Sequence, residues 1–300
     1  MSKLSLIISQ EYKTDVTSKS FWISTILVPV LIIGFGAFVG FLAADSDSFK
    51  TISDATTGVD DKDLSGTQAI GMMCGILLTF FVMTYGAIIF NKVKVEKCNR
   101  IIEVLATCVT GRTMMLAKII SVGLIGLTQL FVWGILVVGG LIGVIFIFGV
   151  DIPWQDVLSW RVLGIFLWCV GFFLGGYVFY GSLFAACGAT TDRNNENQEY
   201  MTLLTFILLG SFYIGIFAVD HPTSALAMSC SLIPFTSTTC GVVGAVSDQN
   251  PLWFSILSLA VLWGCAAVTL SLAGKIYTSS LLLMGKKLTP KDIITFLKAK

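Results

Sequence analysis

Histidine is nearly absent from this chain, because His221 is the only one among 300 residues. A Ser/His/Asp triad or a histidine-based metal site needs an imidazole among other reactive side chains, and His221 stands between an aspartate and a proline. The phosphate-binding pattern Gly-x-x-x-x-Gly-Lys-Ser/Thr is also missing, which excludes ATP binding through a P-loop within these residues. The sequence therefore argues against an enzyme.

Charged residues are scarce at 12% of the chain, whereas apolar residues make up 55% and the mean hydropathy is +0.87. This composition is typical of a multi-pass membrane protein. A membrane-spanning helix needs about 20 largely apolar residues, and six segments qualify, at about 21–44, 69–90, 119–148, 162–187, 201–219 and 252–276. We predict an all-α membrane protein with six transmembrane helices in a single transmembrane domain over residues 1–300.

Ionisable side chains are missing from these six segments, apart from Lys275 at the end of the last one. Carriers driven by protons or ions place such groups near the middle of the membrane. Their absence favours a protein whose energy enters from elsewhere, although an autonomous secondary carrier or channel remains the alternative. The net charge of +1 gives no indication of nucleic-acid binding.

The orientation follows from the distribution of lysine and arginine, which are retained on the cytoplasmic side. With both termini inside, the outer loops keep only Lys50, Lys62 and Arg161. We therefore predict a prokaryotic plasma membrane protein with cytoplasmic termini. A cleaved signal peptide would have a shorter apolar region nearer the start. Instead, an N-terminal interfacial helix is predicted, with Glu11 and Asp15 off the apolar face formed by Leu4, Ile7, Ile8 and Tyr12.

The stretch 91–118 between the second and third spans is too polar to cross lipid and is predicted to contain a cytoplasmic coupling helix. On a helical wheel, one side carries Val95, Cys98, Ile101, Ile102 and Leu105, and the other carries Glu96, Lys97, Arg100 and Glu103. A plain interfacial helix that returns the chain to the membrane would show the same pattern. From these residues alone, the plain helix is the favoured interpretation.

The stretch between Asp220 and Pro251 is apolar but interrupted by prolines, which predicts a re-entrant or interfacial segment at the outer mouth. Its two cysteines, Cys230 and Cys240, could form a disulfide, and the sequence leaves that pairing open. A short amphipathic helix is predicted near the C-terminus, where Thr289 and Pro290 provide a cap and a first-turn proline. Closely spaced glycines at 71, 75, 171, 175 and 176 predict tight helix packing, and Gln129 is expected to face the bundle.

Three stretches resemble the type-2 ATP-binding-cassette (ABC) exporter permeases. In the cytoplasmic loop, the similar run is Glu96-Lys97-x-x-Arg100-x-x-Glu103-x-Leu105, with Lys118 at the start of the next span. The outer segment carries Ile233-Pro234-Phe235-Thr236-Ser237. The tail, Gly274-Lys275-Ile276-Tyr277 followed by Leu283-Met284-Gly285-Lys286-Lys287, is similar to the end of the NatB-like sodium-export branch. Ala117 and Thr238 depart from the family pattern, which has glycine and proline there.

The resemblance implies a permease subunit of an ATP-driven exporter, with no cofactor of its own. ATP and Mg²⁺ would bind to a separate ABC ATPase subunit, and a second permease subunit, identical or related, would complete the pore in the lipid bilayer. The residues implied to dock the ATPase are Glu96, Lys97, Arg100, Ile101, Glu103 and Leu105. The second and fifth spans would line the substrate path with Thr79, Thr84, Tyr85, Ser211 and Tyr213.

Overall fold

The computed structural model describes residues 3–19, 21–23, 25–27, 29, 66–98, 109–148, 160–191, 198–220, 224–246 and 250–282. Every regular element in these ranges is a helix, in agreement with the predicted all-α class. In chain order the helices are α1 Lys3–Val16, α2 Gly66–Cys98, α3 Gly111–Phe148, α4 Trp160–Thr190, α5 Gln198–Asp220, α6 Ala225–Leu232, α7 Pro234–Val246 and α8 Leu252–Leu282.

Five of these helices, α2, α3, α4, α5 and α8, are long and apolar enough to cross a membrane. They cover the predicted spans at 69–90, 119–148, 162–187, 201–219 and 252–276, so these five segments are helical. The predicted span at 21–44 lies mostly outside the described residues, so the count of six stays a prediction. The C-terminal helix predicted after Thr289 also lies outside them.

The second and third spans extend further than their hydropathy indicates. α2 continues without a break to Cys98, and α3 begins at Gly111, so much of the predicted loop 91–118 is helical. A hydropathy profile ends a span at its first charge, whereas lysine and glutamate sustain a helix nearly as well as leucine does. The start of the predicted coupling helix thus falls within the last turns of α2. Residues 99–108 lie outside the described part of the chain, so a coupling helix there stays a prediction.

An aromatic core joins α2, α3 and α4. The ring of Phe81 lies 5.0 Å from Trp133 and 6.2 Å from Phe173, measured between ring centroids. Tyr177 donates its hydroxyl to the carbonyl of Ile119 at 2.6 Å, which attaches α4 to the first turns of α3. Tyr85 donates to the side-chain oxygen of Gln129, so the amide of Gln129 faces the bundle as predicted.

Glycine allows two helix contacts that a larger residue would prevent. A Cβ atom at Gly188 would stand 2.6 Å from the backbone oxygen of Phe90, so α4 and α2 approach each other closely there. At Gly176 a Cβ would stand 2.2 Å from Cγ2 of Thr238 on α7. The glycine spacing thus predicted tight packing correctly at position 176. The packing is less tight at Gly75, Gly171 and Gly175, where a Cβ would stand 3.3, 3.3 and 3.0 Å from the nearest side-chain atom.

A break at Ile233 separates α6 from α7. Ile233 adopts an extended backbone, with φ −74° and ψ 123°, because the ring of the following Pro234 disfavours a helical conformation at the preceding residue. Pro234 then opens α7, where a missing backbone N–H costs nothing. The sequence correctly predicted an interrupted segment here, and its position relative to the membrane stays a prediction.

α7 is enclosed by the rest of the bundle, since every residue from Ser237 to Val246 is buried. Hydroxyl groups connect it to its neighbours. Ser237 shares a hydrogen bond with Ser258 of α8 at 2.9 Å, Thr239 shares one with Ser211 of α5 at 2.6 Å, and Tyr180 of α4 donates to the carbonyl of Phe235 at 2.6 Å. We call this set of neutral side chains the hydroxyl layer.

α1 packs along the first half of α3. Tyr12 and Thr128 share a hydrogen bond of 2.8 Å between their hydroxyls, and Leu4, Ile7 and Ile8 are partly covered, as their common face predicted. The prediction for the acids was wrong, because Glu11 and Asp15 lie on the covered side of the helix as well. Their carboxylates are drawn there by lysines of α2 and α3.

Candidate functional site

Five charged side chains meet where the end of α2 and the start of α3 lie beside α1. Ion pairs connect them across the three helices. We call this group the ionic cluster, and its members are Glu11 and Asp15 of α1, Lys92 and Glu96 of α2, and Lys118 of α3. The five residues come from three segments that are far apart in the sequence.

Lys118 is the centre of the cluster. Its side chain is only 4% exposed, and its ammonium group donates to Oε1 of Glu11 at 3.0 Å and to Oε1 of Glu96. A buried ammonium is costly unless carboxylates or other acceptors replace the water that it has lost. The two carboxylates supply that replacement from two different helices, so Lys118 joins α3 to both α1 and α2.

The remaining oxygens of the two glutamates extend the cluster to further partners. Oε2 of Glu11 accepts a hydrogen bond from Ser121 at 2.7 Å, and Oε2 of Glu96 accepts one from the hydroxyl of Tyr277 at 3.1 Å. Tyr277 belongs to α8, so four helices meet at Lys118 and its two partners. Both oxygens of each glutamate are therefore engaged.

Lys92 forms a second, more open pair at the side of the cluster. It donates to Asp15 and lies 3.9 Å from Oε2 of Glu11. The side chains of Lys92 and Asp15 are 23% and 32% exposed, so water screens this pair much more than it screens Lys118. The pair adds a second link between α1 and α2.

An open cavity of about 440 Å³ lies between α1 and α2 beside these charges. The members of the ionic cluster line it together with Gln10, Thr14, Asn91 and Val95. Three carboxylates face two ammonium groups in the lining, so the wall has a formal excess of one negative charge. The arrangement can stabilise helix ends and can exchange water with its surroundings.

The predicted ATPase-docking residues are only partly within the described residues. Glu96 and Lys97 stand in the last turn of α2, and both are half-buried. Arg100, Ile101, Glu103 and Leu105 lie outside the described residues. The predicted division into a covered apolar side and an exposed charged side fails at two positions, since Val95 is 56% exposed while Glu96 faces Lys118. Glu96 turns inward because Lys118 and Tyr277 offer it partners there.

The predicted substrate-path residues separate into two groups. Thr79, Tyr85 and Ser211 are buried and bonded within the bundle, to the carbonyl of Gly75, to Gln129 and to Thr239 respectively. Thr84 and Tyr213 instead lie on exposed faces of α2 and α5, and Tyr213 is 64% exposed. The structure therefore does not bring the five side chains together.

Cysteine and metal chemistry contribute little to the described part of the chain. Cys230 and Cys240 are free thiols, so the disulfide that the sequence left open is not formed. The described residues contain no group of three or more histidine, cysteine, aspartate or glutamate side chains that could hold a metal ion. The ionic cluster is thus the main concentration of reactive groups that these residues offer.

Sequence reasoning missed most of the ionic cluster. Glu11, Asp15 and Lys92 were not selected as site residues, and Lys118 was considered only as the end of a motif. Glu11 and Lys118 are 107 residues apart, a separation at which periodicity carries no information about contact. The predicted topology held a usable signal, because it places the ends of α1, α2 and α3 on the same side of the membrane.

A family model described as "ABC-2 family transporter protein" matches residues 65–275, which is most of the chain. The chain belongs to the ABC-2 transporter family. The matched region contains four of the five candidate spanning helices and most of the fifth, α8, so this ABC-2 chain is a multi-pass membrane protein. It also contains Lys92, Glu96 and Lys118 of the ionic cluster, whereas Glu11 and Asp15 precede it.

Two curated relatives are similar to this ABC-2 chain. One is an uncharacterized protein of Bacillus subtilis, YhaP, 24% identical over 241 residues that cover 78% of this chain and 56% of the relative. The other is an uncharacterized protein of Methanocaldococcus jannaschii, MJ1024, 24% identical over 237 residues that cover 79% and 55%. The chain thus spans about half the length of the curated relatives it matches. No solved structure matches it.

Proposed function

We propose that this chain is the permease subunit of an ATP-driven exporter, in which a separate ABC ATPase supplies the energy. The observation that carries the proposal is the ABC-2 family match over residues 65–275, which includes four candidate spans, most of the fifth and the α2–α3 connection. ATP and Mg²⁺ bind to the partner subunit, and the permease converts its movement into opening of a path. Both chain termini face the cytoplasm together with the ionic cluster.

The docking surface for the ATPase is the segment 99–108 with the last turn of α2. The side chains of this segment that would contact the partner are Arg100, Glu103 and Leu105. The start of the segment, at the end of α2, would be held in place by Glu96 and Lys97. Support comes from the motif around these residues and from the location of the last turn of α2 at one end of the bundle. Charged groups at such a surface determine fit and register more than affinity.

A second permease subunit would pack against the exposed faces of α2 and α5. Those faces carry large apolar side chains such as Phe80 and Phe206, which are 51% and 65% exposed. Thr84 and Tyr213 lie on them as well, so these two are the members of the predicted substrate path that can meet cargo between two subunits.

The test is affinity purification of the chain from its own membrane in mild detergent, with identification of what accompanies it. We expect a stoichiometric P-loop ATPase and ATP hydrolysis in the purified sample. Reversing one charge of the docking segment, in Glu103→Lys, should release the ATPase while the permease still accumulates. The matched control is Asp54→Lys in the predicted outer loop, which should retain it. A chain that purifies alone and without ATPase activity would support the autonomous carrier or channel instead.

A further inference from the structure

The ionic cluster lies at both ends of the proposed docking segment. Glu96 stands two residues before the end of α2, and Lys118 stands in the second turn of α3, so residues 99–108 connect the two helices that this ion pair joins. A displacement of the docking segment is passed along the chain into these two helix ends. The ion pair is a direct bond between the two ends and holds them together there.

We propose that Lys118 is the positioning residue that makes the ends of α1, α2, α3 and α8 move as one unit when the ATPase acts. This inference rests on the proposed function and adds a mechanism to it. Lys118 holds Glu96 and Glu11 directly, and Glu96 in turn holds Tyr277. Movement applied to the α2–α3 connection reaches α1 through one carboxylate and α8 through the other.

Burial gives this link its strength. The side chain of Lys118 is 4% exposed, and its neighbours Met114, Met115 and Val122 on α3 are buried too. An ammonium group in that position cannot exchange its carboxylates for water at low cost. Lys92 can do so, because both partners in its pair with Asp15 are more exposed.

The hydrogen bonds around Lys118 also restrict how the four helix ends can move. Each of the two glutamates uses one oxygen for Lys118 and its other oxygen for a hydroxyl, that of Ser121 or that of Tyr277. If α3 moved alone, it would break both ion pairs and leave three charged groups with fewer partners. If the four helix ends move together, all of these bonds are kept.

The experiment is hydrogen–deuterium exchange of the purified permease–ATPase complex in lipid nanodiscs, with and without ATP and vanadate. In the unaltered complex, nucleotide should change exchange in peptides from α1 and from the end of α8. Lys118→Met should abolish both changes while the ATPase stays bound and hydrolyses ATP. Lys275→Met removes an exposed lysine from the same end of α8 and is the matched control, which should respond as the unaltered complex does.

Two milder variants separate the branches of the link and leave Lys118 with at least one carboxylate. Glu11→Gln should remove the response of α1 and keep that of α8, whereas Tyr277→Phe should do the reverse. If Lys118→Met accumulates too poorly to purify, these two variants test the positioning role of Lys118 in its place. Lost responses on the expected branches support the positioning role.

Unchanged responses in Lys118→Met, or in both milder variants, would overturn it. So would an unaltered complex in which the ATPase is bound and active but α1 and α8 do not respond to nucleotide. Absence of any ATPase from the unaltered sample is a different failure, because it contradicts the proposed function and removes the inference with it.

Discussion

The ionic cluster and the hydroxyl layer both join four or more helices, yet they do so with different chemistry. At the cluster, lysines and carboxylates of α1, α2 and α3 meet beside an open cavity, and Tyr277 adds α8. In the hydroxyl layer, the polar bonds from α7 to α4, α5 and α8 are made by neutral hydroxyls and backbone carbonyls.

The difference follows from the access of each region to water. A buried charge is expensive unless it is paired, so the polar contacts of the enclosed α7 are made by serine, threonine and tyrosine, whose bonds between membrane helices contribute only about 0.6 kcal/mol on average. Near the helix ends, water and paired charges reduce that cost. The cluster can therefore hold stronger links than the layer can.

The largest expected effect is at the centre of the cluster. Lys118→Met removes the ammonium group that neutralises Glu11 and Glu96, and breaking a buried ion pair costs about 3–5 kcal/mol. The free energy of unfolding in mixed micelles should fall by this amount. Lys275→Met, at an exposed lysine, should change it by less than about 0.5 kcal/mol. If the two substitutions lower the free energy of unfolding equally, the burial of a charge does not determine its contribution to stability.

The next effect is steric and lies where α4 packs against α7. In Gly176→Ala the new Cβ would stand 2.2 Å from Cγ2 of Thr238, and overpacking of this kind costs about 1–3 kcal/mol. Adding Thr238→Ser removes that methyl group and should restore most of the thermal stability. If the double variant is as unstable as Gly176→Ala alone, the clash is not the cause.

A smaller effect is expected from a single hydroxyl of the layer. Ser211→Ala removes the 2.6 Å hydrogen bond to Thr239 and should lower the free energy of unfolding by about 0.6 kcal/mol. The control is Ser271→Ala, since the exposed hydroxyl of Ser271 bonds only within its own helix, to Ala267. A loss of several kcal/mol for Ser211→Ala would show that the layer is as strong as the cluster.

The smallest expected effect on thermal stability is no change or a slight increase. Oγ1 of Thr238 is buried and has no hydrogen-bond partner among the described residues. Thr238→Val keeps the shape of the side chain and removes a polar atom that has lost its water, so the melting temperature should stay the same or rise. A clear decrease would mean that the hydroxyl has a partner that these contacts do not include.

The sequence predicted the spanning helices well because hydrophobicity alone determines them. Five segments of apolar residues became α2, α3, α4, α5 and α8, and the break before α7 followed from Pro234. Helix ends were predicted less well, since hydropathy stops at charges such as Lys92 through which the helix continues.

The pairing of side chains could not be predicted from local patterns. Glu11 and Lys118 meet across 107 residues, and Tyr277 and Glu96 across 181. Tyr85 and Ser211 were predicted as path residues because the resemblance implies that the second and fifth spans line the path. In the structure both bond to neighbouring helices, and their place in a substrate path stays a prediction. Thr84 and Tyr213 differ from Tyr85 and Ser211 because they are exposed. Which side chains are exposed depends on how each helix is rotated in the bundle.

The central claim is that an ATPase binds beside the ionic cluster, and crosslinking in cells tests it most directly. A photoreactive amino acid in place of Ile101 should form an adduct with a P-loop ATPase on illumination, whereas the same group in place of Asp54 should not. Absence of that adduct at position 101, or an equal adduct at both positions, would contradict the account.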